Sequence, residues 1–132
     1  IPVMGHIGYT PQFKKEFKVE GKTKKEMQKL ITEALLIEKA GAFSIVLECI
    51  TPKTAKIITN LLKIPTIGIG SSSHCDGQIL VTDDILGLSG FYPKFVKKYA
   101  NLNRVIENAV KKYSKDVKNK KFPKTNNFLY GK

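Results

Sequence analysis

The chain has 132 residues, 42% of them hydrophobic, and a formal net charge of +12. That length fits one domain with a usable core, and the apolar content excludes a disordered chain. Two cysteines, Cys49 and Cys75, exclude a disulfide framework and make a reducing, cytoplasmic setting the expectation; no membrane span or signal segment is evident in these residues.

Ile1-Pro2-Val3-Met4-Gly5-His6-Ile7-Gly8 reads as a buried strand, with Pro2 tolerated at its start and the glycines permitting close backbone approach near its end. A loop from Thr10 to Glu20 follows, mixing aromatic and charged residues as Phe13-Lys14-Lys15-Glu16-Phe17. Thr23-Lys24-Lys25-Glu26 fits a capping box, in which threonine and glutamate satisfy each other's backbone donors. Met27, Leu30, Ile31, Ala34, Leu35 and Ile37 then recur at helical spacing, and Gly41 sits where a left-handed cap is wanted.

The run Ala42-Phe43-Ser44-Ile45-Val46-Leu47-Glu48-Cys49-Ile50 lacks the alternation of a half-exposed strand, so it predicts a strand buried on both faces of a parallel sheet. Thr51 and Pro52 predict the N-cap and first position of a second helix, with Ile57, Ile58, Leu61 and Leu62 on its apolar side. Ile64-Pro65-Thr66-Ile67-Gly68-Ile69-Gly70 predicts a third strand, ending in Ser71-Ser72-Ser73, and Gly77 to Asp84 a fourth. Pro93–Ala100 and Leu102–Val117 predict two further helices, before a lysine- and asparagine-rich tail over 118–132. Strand and helix units alternating at about 30 residues mean a parallel α/β sheet. The pattern fits an open sheet and a closed barrel alike; a complete (β/α)8 barrel takes about 250 residues, of which this chain can supply only half.

The charge invites a nucleic-acid reading, but the lysines lie in helix-like and tail segments, Arg104 is the only arginine, and no aromatic-interleaved motif accompanies them. A solvated lysine surface accounts for the charge, and neither nucleic acid nor membrane is expected as a partner.

Glu48 closes its strand where ligands gather in α/β folds. It is either the first solvated residue after the strand or a base, since a carboxylate between Leu47 and Cys49 is costly to bury unless neutral or paired. His6, also at a strand end, is either structural or a group that hydrogen-bonds a substrate oxygen. Gly68-Ile69-Gly70-Ser71-Ser72-Ser73 offers backbone amides to an anion but lacks the dinucleotide spacing and the P-loop lysine, so a tight glycine turn competes with a phosphate cradle. His74-Cys75-Asp76, being contiguous, has poor geometry for a metal, and no metal-ligating set is assigned. Asp83-Asp84 is a strand-end acidic pair or a turn, and Cys49 a small buried hydrophobe.

Taken together, Gly5-His6-Ile7-Gly8-Tyr9-Thr10-Pro11-Gln12, Val46-Leu47-Glu48-Cys49 and Ile64-Pro65-Thr66-Ile67-Gly68-Ile69-Gly70 resemble the ketopantoate hydroxymethyltransferase family. Asp76-Gly77-Gln78-Ile79-Leu80-Val81, Asp84-Ile85-Leu86-Gly87 and Pro93-Lys94-Phe95 extend the match over nearly all of the chain, though over only the C-terminal half of the family enzyme. The resemblance implies a TIM-barrel fold of which about four βα units are present, with 1–117 forming that half of the catalytic domain and 118–132 a tail. It also implies transfer of a hydroxymethyl group from 5,10-methylenetetrahydrofolate to 3-methyl-2-oxobutanoate, giving 2-dehydropantoate in pantothenate biosynthesis. By position Glu48 matches the proton acceptor and His6 a substrate-binding histidine. A carboxylate held partly away from water is the better base toward a carbon acid. The Mg2+ ligands and a substrate-binding lysine are expected in the absent upstream half, so the resemblance implies pairing with that half, or a homo-oligomer. The chain departs from the family pattern at Ser71, usually alanine, at Asp83, often histidine, and in a shortened loop after Gln12. The alternative expectation is a non-catalytic remnant or assembly module, inactive for want of the metal-binding half.

Overall fold

In a computed structural model, residues 1–13 and 18–127 of the chain are described. The order is β1 (Met4–Gly8), α1 (Lys24–Lys39), β2 (Ser44–Glu48), α2 (Pro52–Leu61), β3 (Thr66–Ile69), β4 (Gly77–Gln78), α3 (Thr82–Leu86) and α4 (Leu102–Lys118), with a 3-10 turn at Thr125–Asn127. They fall into two units, Ile1–Leu80 and Val81–Lys132.

The first unit is an α/β layer. Its four strands are all parallel and lie in sequence order, β1-β2-β3-β4. Register pairs His6 with Val46 and Gly8 with Glu48, then Glu48 with Ile69. Ile7, Ile45 and Leu47 pack with Leu30 and Ala34 of α1 and Ala55 and Ile58 of α2 in a single core, so both helices cover the same face. The strands thus wind without reversal of order, with α1 and α2 on one side.

That one-sidedness corrects the expectation of a β2 buried on both faces. Ile45 and Leu47 are fully buried, whereas Val46 and Glu48, which point the other way by strand alternation, are half-buried. The neighbouring strands repeat the pattern, with Met4 exposed and His6, Ile67 and Ile69 half-buried on the open side. An unbroken apolar run therefore marks two apolar faces, of which helices cover one here.

The α1 signals act as read. Glu26 N–H donates to Thr23 Oγ at 3.1 Å, and the Glu26 carboxylate accepts from the N–H groups of Lys22 and Thr23, the bonds that hold its pKa below the usual value. Gly41, with φ +91, takes the left-handed position after the Ala40 C-cap. Leu35 and Leu36, however, remain largely exposed. Pro52 opens α2 as predicted, but the Thr51 hydroxyl is engaged with the Gly21 carbonyl and Thr54 Oγ instead of capping the helix.

The Ser-rich loop after β3 is tied to its own surroundings. Ser71 Oγ donates to the Ile50 carbonyl at 3.2 Å, Ser72 Oγ accepts from His74 N–H, and Gln78 Nε2 donates to the Ser72 carbonyl at 2.7 Å. The contiguous His74-Cys75-Asp76 diverges, His74 outward, Cys75 into the core, and Asp76 to Thr66. Asp76 Oδ2 accepts from the Thr66 N–H at 2.8 Å and hydroxyl at 2.9 Å. Those bonds favour the ionised form and hold the Asp76 carboxyl below its ordinary value. A folded-state pKa below the unfolded one gives stability that is present above the unfolded value, near pH 4, and lost as pH falls through the folded value. Asp76→Asn is accordingly expected to flatten the acid limb of the stability–pH curve below about pH 4 while leaving its shape near neutrality. Chemical denaturation of both proteins across that range checks this, and identical acid limbs would contradict it.

Two predicted elements differ from the structure. The fourth strand stops at Gln78, at the end of the first unit, and Thr82-Asp83-Asp84 opens α3 in the second instead of ending a strand. Acidic residues in a first helical turn suit the helix dipole, and Gly87, at φ +73, closes the helix in the left-handed region. The helix predicted at Pro93–Ala100 is absent, because Tyr99 and Ala100 N–H both donate to the Ile85 carbonyl and only a single turn, Val96 to Pro93, forms. The α4 helix forms as predicted, capped by Asn101, and Val105, Ile106, Val110 and Tyr113 are exposed along it. Residues 14–17 of the predicted aromatic-charged loop and 128–132 of the tail lie outside the described residues. Among the described residues no helix is long and apolar enough to cross a membrane.

Candidate active site at the carboxyl ends of the strands

Glu48 is the last residue of β2, and His6 sits two residues before the end of the adjacent β1. The parallel register and alternation bring both side chains to the open face of the sheet. His6 Nε2 lies 3.0 Å from Glu48 Oε2. The ring nitrogen has no partner in hydrogen-bond alignment. At that distance the contact is therefore an electrostatic one between poorly aligned groups. The Glu48 side chain is 16% exposed and that of His6 33%, so the carboxylate is mostly removed from water while the imidazole still reaches it. The two residues singled out in the sequence are thus neighbours in space.

The backbone beneath Glu48 is held on every side. Its carbonyl accepts from Tyr9 N–H at 2.9 Å; the following Cys49 N–H donates to the Ile69 carbonyl, and the Cys49 carbonyl accepts from Glu20 N–H, each at 2.9 Å. A parallel bridge, Glu20 to Ile50, stitches the loop before α1 onto the end of β2. Gly8 makes this closeness possible, since a Cβ there would stand 2.1 Å from the Glu48 carbonyl oxygen. Glu20 and Tyr9 were not legible as supports, because backbone groups serve here and any residue type supplies them.

Cys49 itself is 1% exposed, and burial, aided by the neighbouring Glu48 carboxylate, pushes its thiol up to about 11. A neutral buried thiol is a poor nucleophile, in keeping with the small-hydrophobe reading. In the folded protein Cys49 is expected to resist alkylation at pH 8 and to react only on denaturation, as peptide mapping after iodoacetamide treatment reads out; labelling at the rate of a free thiol would contradict this.

On the other side of His6 runs a groove of about 460 Å3 along the outer edge of β1, which Gly8, Thr10, Phe13, Lys29 and Glu33 help to line. Lys29 and Glu33, one turn apart on α1, pair along the groove wall at 3.6 Å. Among the described residues no group of three or more His, Cys, Asp or Glu side chains is arranged to hold a metal ion. What the site offers chemically is one mostly desolvated carboxylate with an imidazole beside it, on a rigid strand end, suited to moving a single proton.

The profile of the ketopantoate hydroxymethyltransferase family matches residues 1–125. The chain is 56% identical over 127 residues to the 3-methyl-2-oxobutanoate hydroxymethyltransferase of Clostridium beijerinckii, covering 93% of the chain and 46% of that relative. It is 51% identical to the enzyme of that name from Pelagibacter ubique, covering 93% of the chain and 48% of the relative, and 54% identical to that of Syntrophus aciditrophicus. The chain spans about half the length of the curated relatives it matches. With the family's motifs running in order from Gly5 to Phe95, and the match extending across both structural units, the chain belongs to the ketopantoate hydroxymethyltransferase family.

Proposed function

We propose that the chain is the C-terminal half of a (β/α)8 hydroxymethyltransferase acting on 3-methyl-2-oxobutanoate, with Glu48 as the proton acceptor and His6 as a substrate-binding group. The observation that carries the reading is the 3.0 Å approach of His6 to a Glu48 that is 16% exposed, at the carboxyl end of a parallel strand. In this reading Glu48 takes the proton from C3 of the substrate. The electron pair of the broken C–H bond moves into the adjacent carbonyl as an enolate. C3 then forms a carbon–carbon bond to the methylene carbon of 5,10-methylenetetrahydrofolate, whose two bonds to folate nitrogens break; water supplies the hydroxyl oxygen, and tetrahydrofolate leaves with its nitrogens reprotonated. His6 donates to a substrate oxygen and orients C3 toward Glu48. The clamped backbone holds the Glu48 carboxylate still beside the substrate-binding group.

The other half of the barrel belongs, in this proposal, to the part of the family enzyme the chain does not span, and the magnesium ligands with it. Three features support that. Within the first unit α1 and α2 pack on one face of the sheet, β1 lies at a sheet edge beside a groove, and Met4, Val46, Ile67 and Ile69 give the other face an apolar surface. An all-parallel sheet is normally covered on both faces and its edges paired. This reading is preferred to a non-catalytic remnant because Glu48, His6 and their backbone supports are all in place.

The test is reassembly. The chain, joined or mixed with the upstream half of the Clostridium beijerinckii relative, is expected to convert 3-methyl-2-oxobutanoate to its hydroxymethylated product when supplied with magnesium and methylenetetrahydrofolate. A folded, assembled complex that makes no product would contradict the proposal.

A further inference from the structure

We propose that Cys49 is a positioning residue for Glu48, acting through its backbone rather than its thiol: a left-handed step at this position fixes where the carboxylate stands. Cys49 has φ +53, and among the described residues the only other non-glycine at positive φ is Lys120, just beyond the end of α4. For an L-residue that conformation is disfavoured and persists where the surroundings impose it. Here they do. The Cys49 N–H is bound to the Ile69 carbonyl on β3, its carbonyl to Glu20 N–H on the far side, and the side chain is sealed in the interior.

The step changes which way the chain runs. Continued alternation would bury residue 49 and return residue 50 to the open face with Glu48. Instead Cys49 and Ile50 are both buried, each 1% exposed, and Ile50 joins the core under α1 and α2. The chain thus drops away directly after Glu48, leaving the carboxylate as the last side chain on the open face, beside His6. The contact at the other end is equally tight, since Gly8 has no room for a Cβ against Glu48 and Ile50. Strain held by hydrogen bonds on both sides of a reacting group is a means of pre-organisation.

The proposal rests on Glu48 being the base, and its test separates the two claims. Cys49→Gly and Cys49→Val are compared with the parent chain and with Glu48→Gln. One readout is the 15N resonance of the His6 imidazole in the chain itself, which senses the Glu48 carboxylate. The other is the rate of C3 proton exchange per folded molecule in the reassembled enzyme. Glycine adopts the left-handed region freely, and a β-branched residue there is an outlier. The Gly variant is therefore expected to stay close to the parent in both readouts, within about threefold in rate. The Val variant is expected to shift the His6 resonance as Glu48→Gln does and to lose about 10²-fold in rate, the scale of a misplaced catalytic group, with substrate affinity little changed. A Gly variant as impaired as Val would overturn the proposal in favour of the thiol, and a Val variant that folds with both readouts intact would overturn it outright. Should the Val variant not fold, the Gly variant decides: retention supports the proposal and loss overturns it. A parent complex that shows no exchange while its His6 resonance responds to Glu48→Gln contradicts Glu48 as the base, and leaves the positional claim to be judged on the resonance alone.

Discussion

Replacing Glu48 with glutamine is expected to lower the rate of C3 proton removal from 3-methyl-2-oxobutanoate by about 10²–10⁴-fold in the reassembled enzyme, with little change in substrate binding. The substitution keeps the shape and most of the polarity of the side chain and removes only its capacity to accept a proton at neutral pH. The loss corresponds to about 3–5 kcal/mol of barrier. The drop is expected in kcat, because the proton leaves carbon only in the transition state. The complementary change, His6→Ala, is expected to act mainly on KM, since the role proposed for His6 is to bind and orient the substrate. A Glu48→Gln enzyme with parental turnover would remove Glu48 from the base role whatever the fold.

The second large effect concerns Gly8. A Cβ at this position would lie 2.1 Å from the Glu48 carbonyl oxygen and 2.8 Å from Ile50 Cγ1, at a φ of +91 that L-residues resist. The nearer obstacle is backbone and has no rotamer to escape into. Left-handed strain of about 1–2 kcal/mol and overpacking of about 1–3 kcal/mol together predict that Gly8→Ala destabilises the chain by roughly 2–5 kcal/mol. Thermal unfolding is expected to shift down by about 5 °C or more, and the His6–Glu48 approach to open with it, since β1 must move relative to β2. Gly41→Ala is the control: its φ is also +91, yet a Cβ there meets nothing within 4 Å. It is expected to show the conformational cost without the steric one, so equal losses at the two positions would contradict the steric account.

The elements with redundant signals were legible in the sequence. The α1 helix announced itself through a capping box, an apolar stripe and a terminal glycine; the box and the glycine operate in the structure, and the stripe packs at Leu30 and Ala34 while Leu35 stays exposed. The β2 strand was legible as buried, but a run such as Ile45-Val46-Leu47 reports that both faces are apolar and not whether both are covered. Only the placement of α1 and α2 on one side resolves that. The short elements were misread where local chemistry outweighed pattern. Thr82-Asp83-Asp84 follows an apolar run, yet acidic residues at a helix start and Gly87 at its end give a helix. Pro93–Ala100 has the composition of a helix, but its late N–H donors are taken by the distant Ile85 carbonyl. The site divides in the same way. Glu48 and His6 stood out as ionisable residues near strand ends, and the register brings them together. The left-handed turn at Cys49 and the clamps from Tyr9, Glu20 and Ile69 are backbone facts, on which side-chain identity is silent.

The most direct measurement of the central claim is deuterium exchange at C3 of 3-methyl-2-oxobutanoate, followed by proton NMR in heavy water with magnesium present. It is made on this chain alone, on the upstream half of the Clostridium beijerinckii relative alone, and on the two together. The exchange step isolates proton removal from the later transfer of the one-carbon unit, so it reads Glu48 without the folate substrate. The account predicts exchange only when both halves are present, and its loss on Glu48→Gln. A folded, assembled pair that exchanges nothing, or exchanges equally well without Glu48, would contradict it.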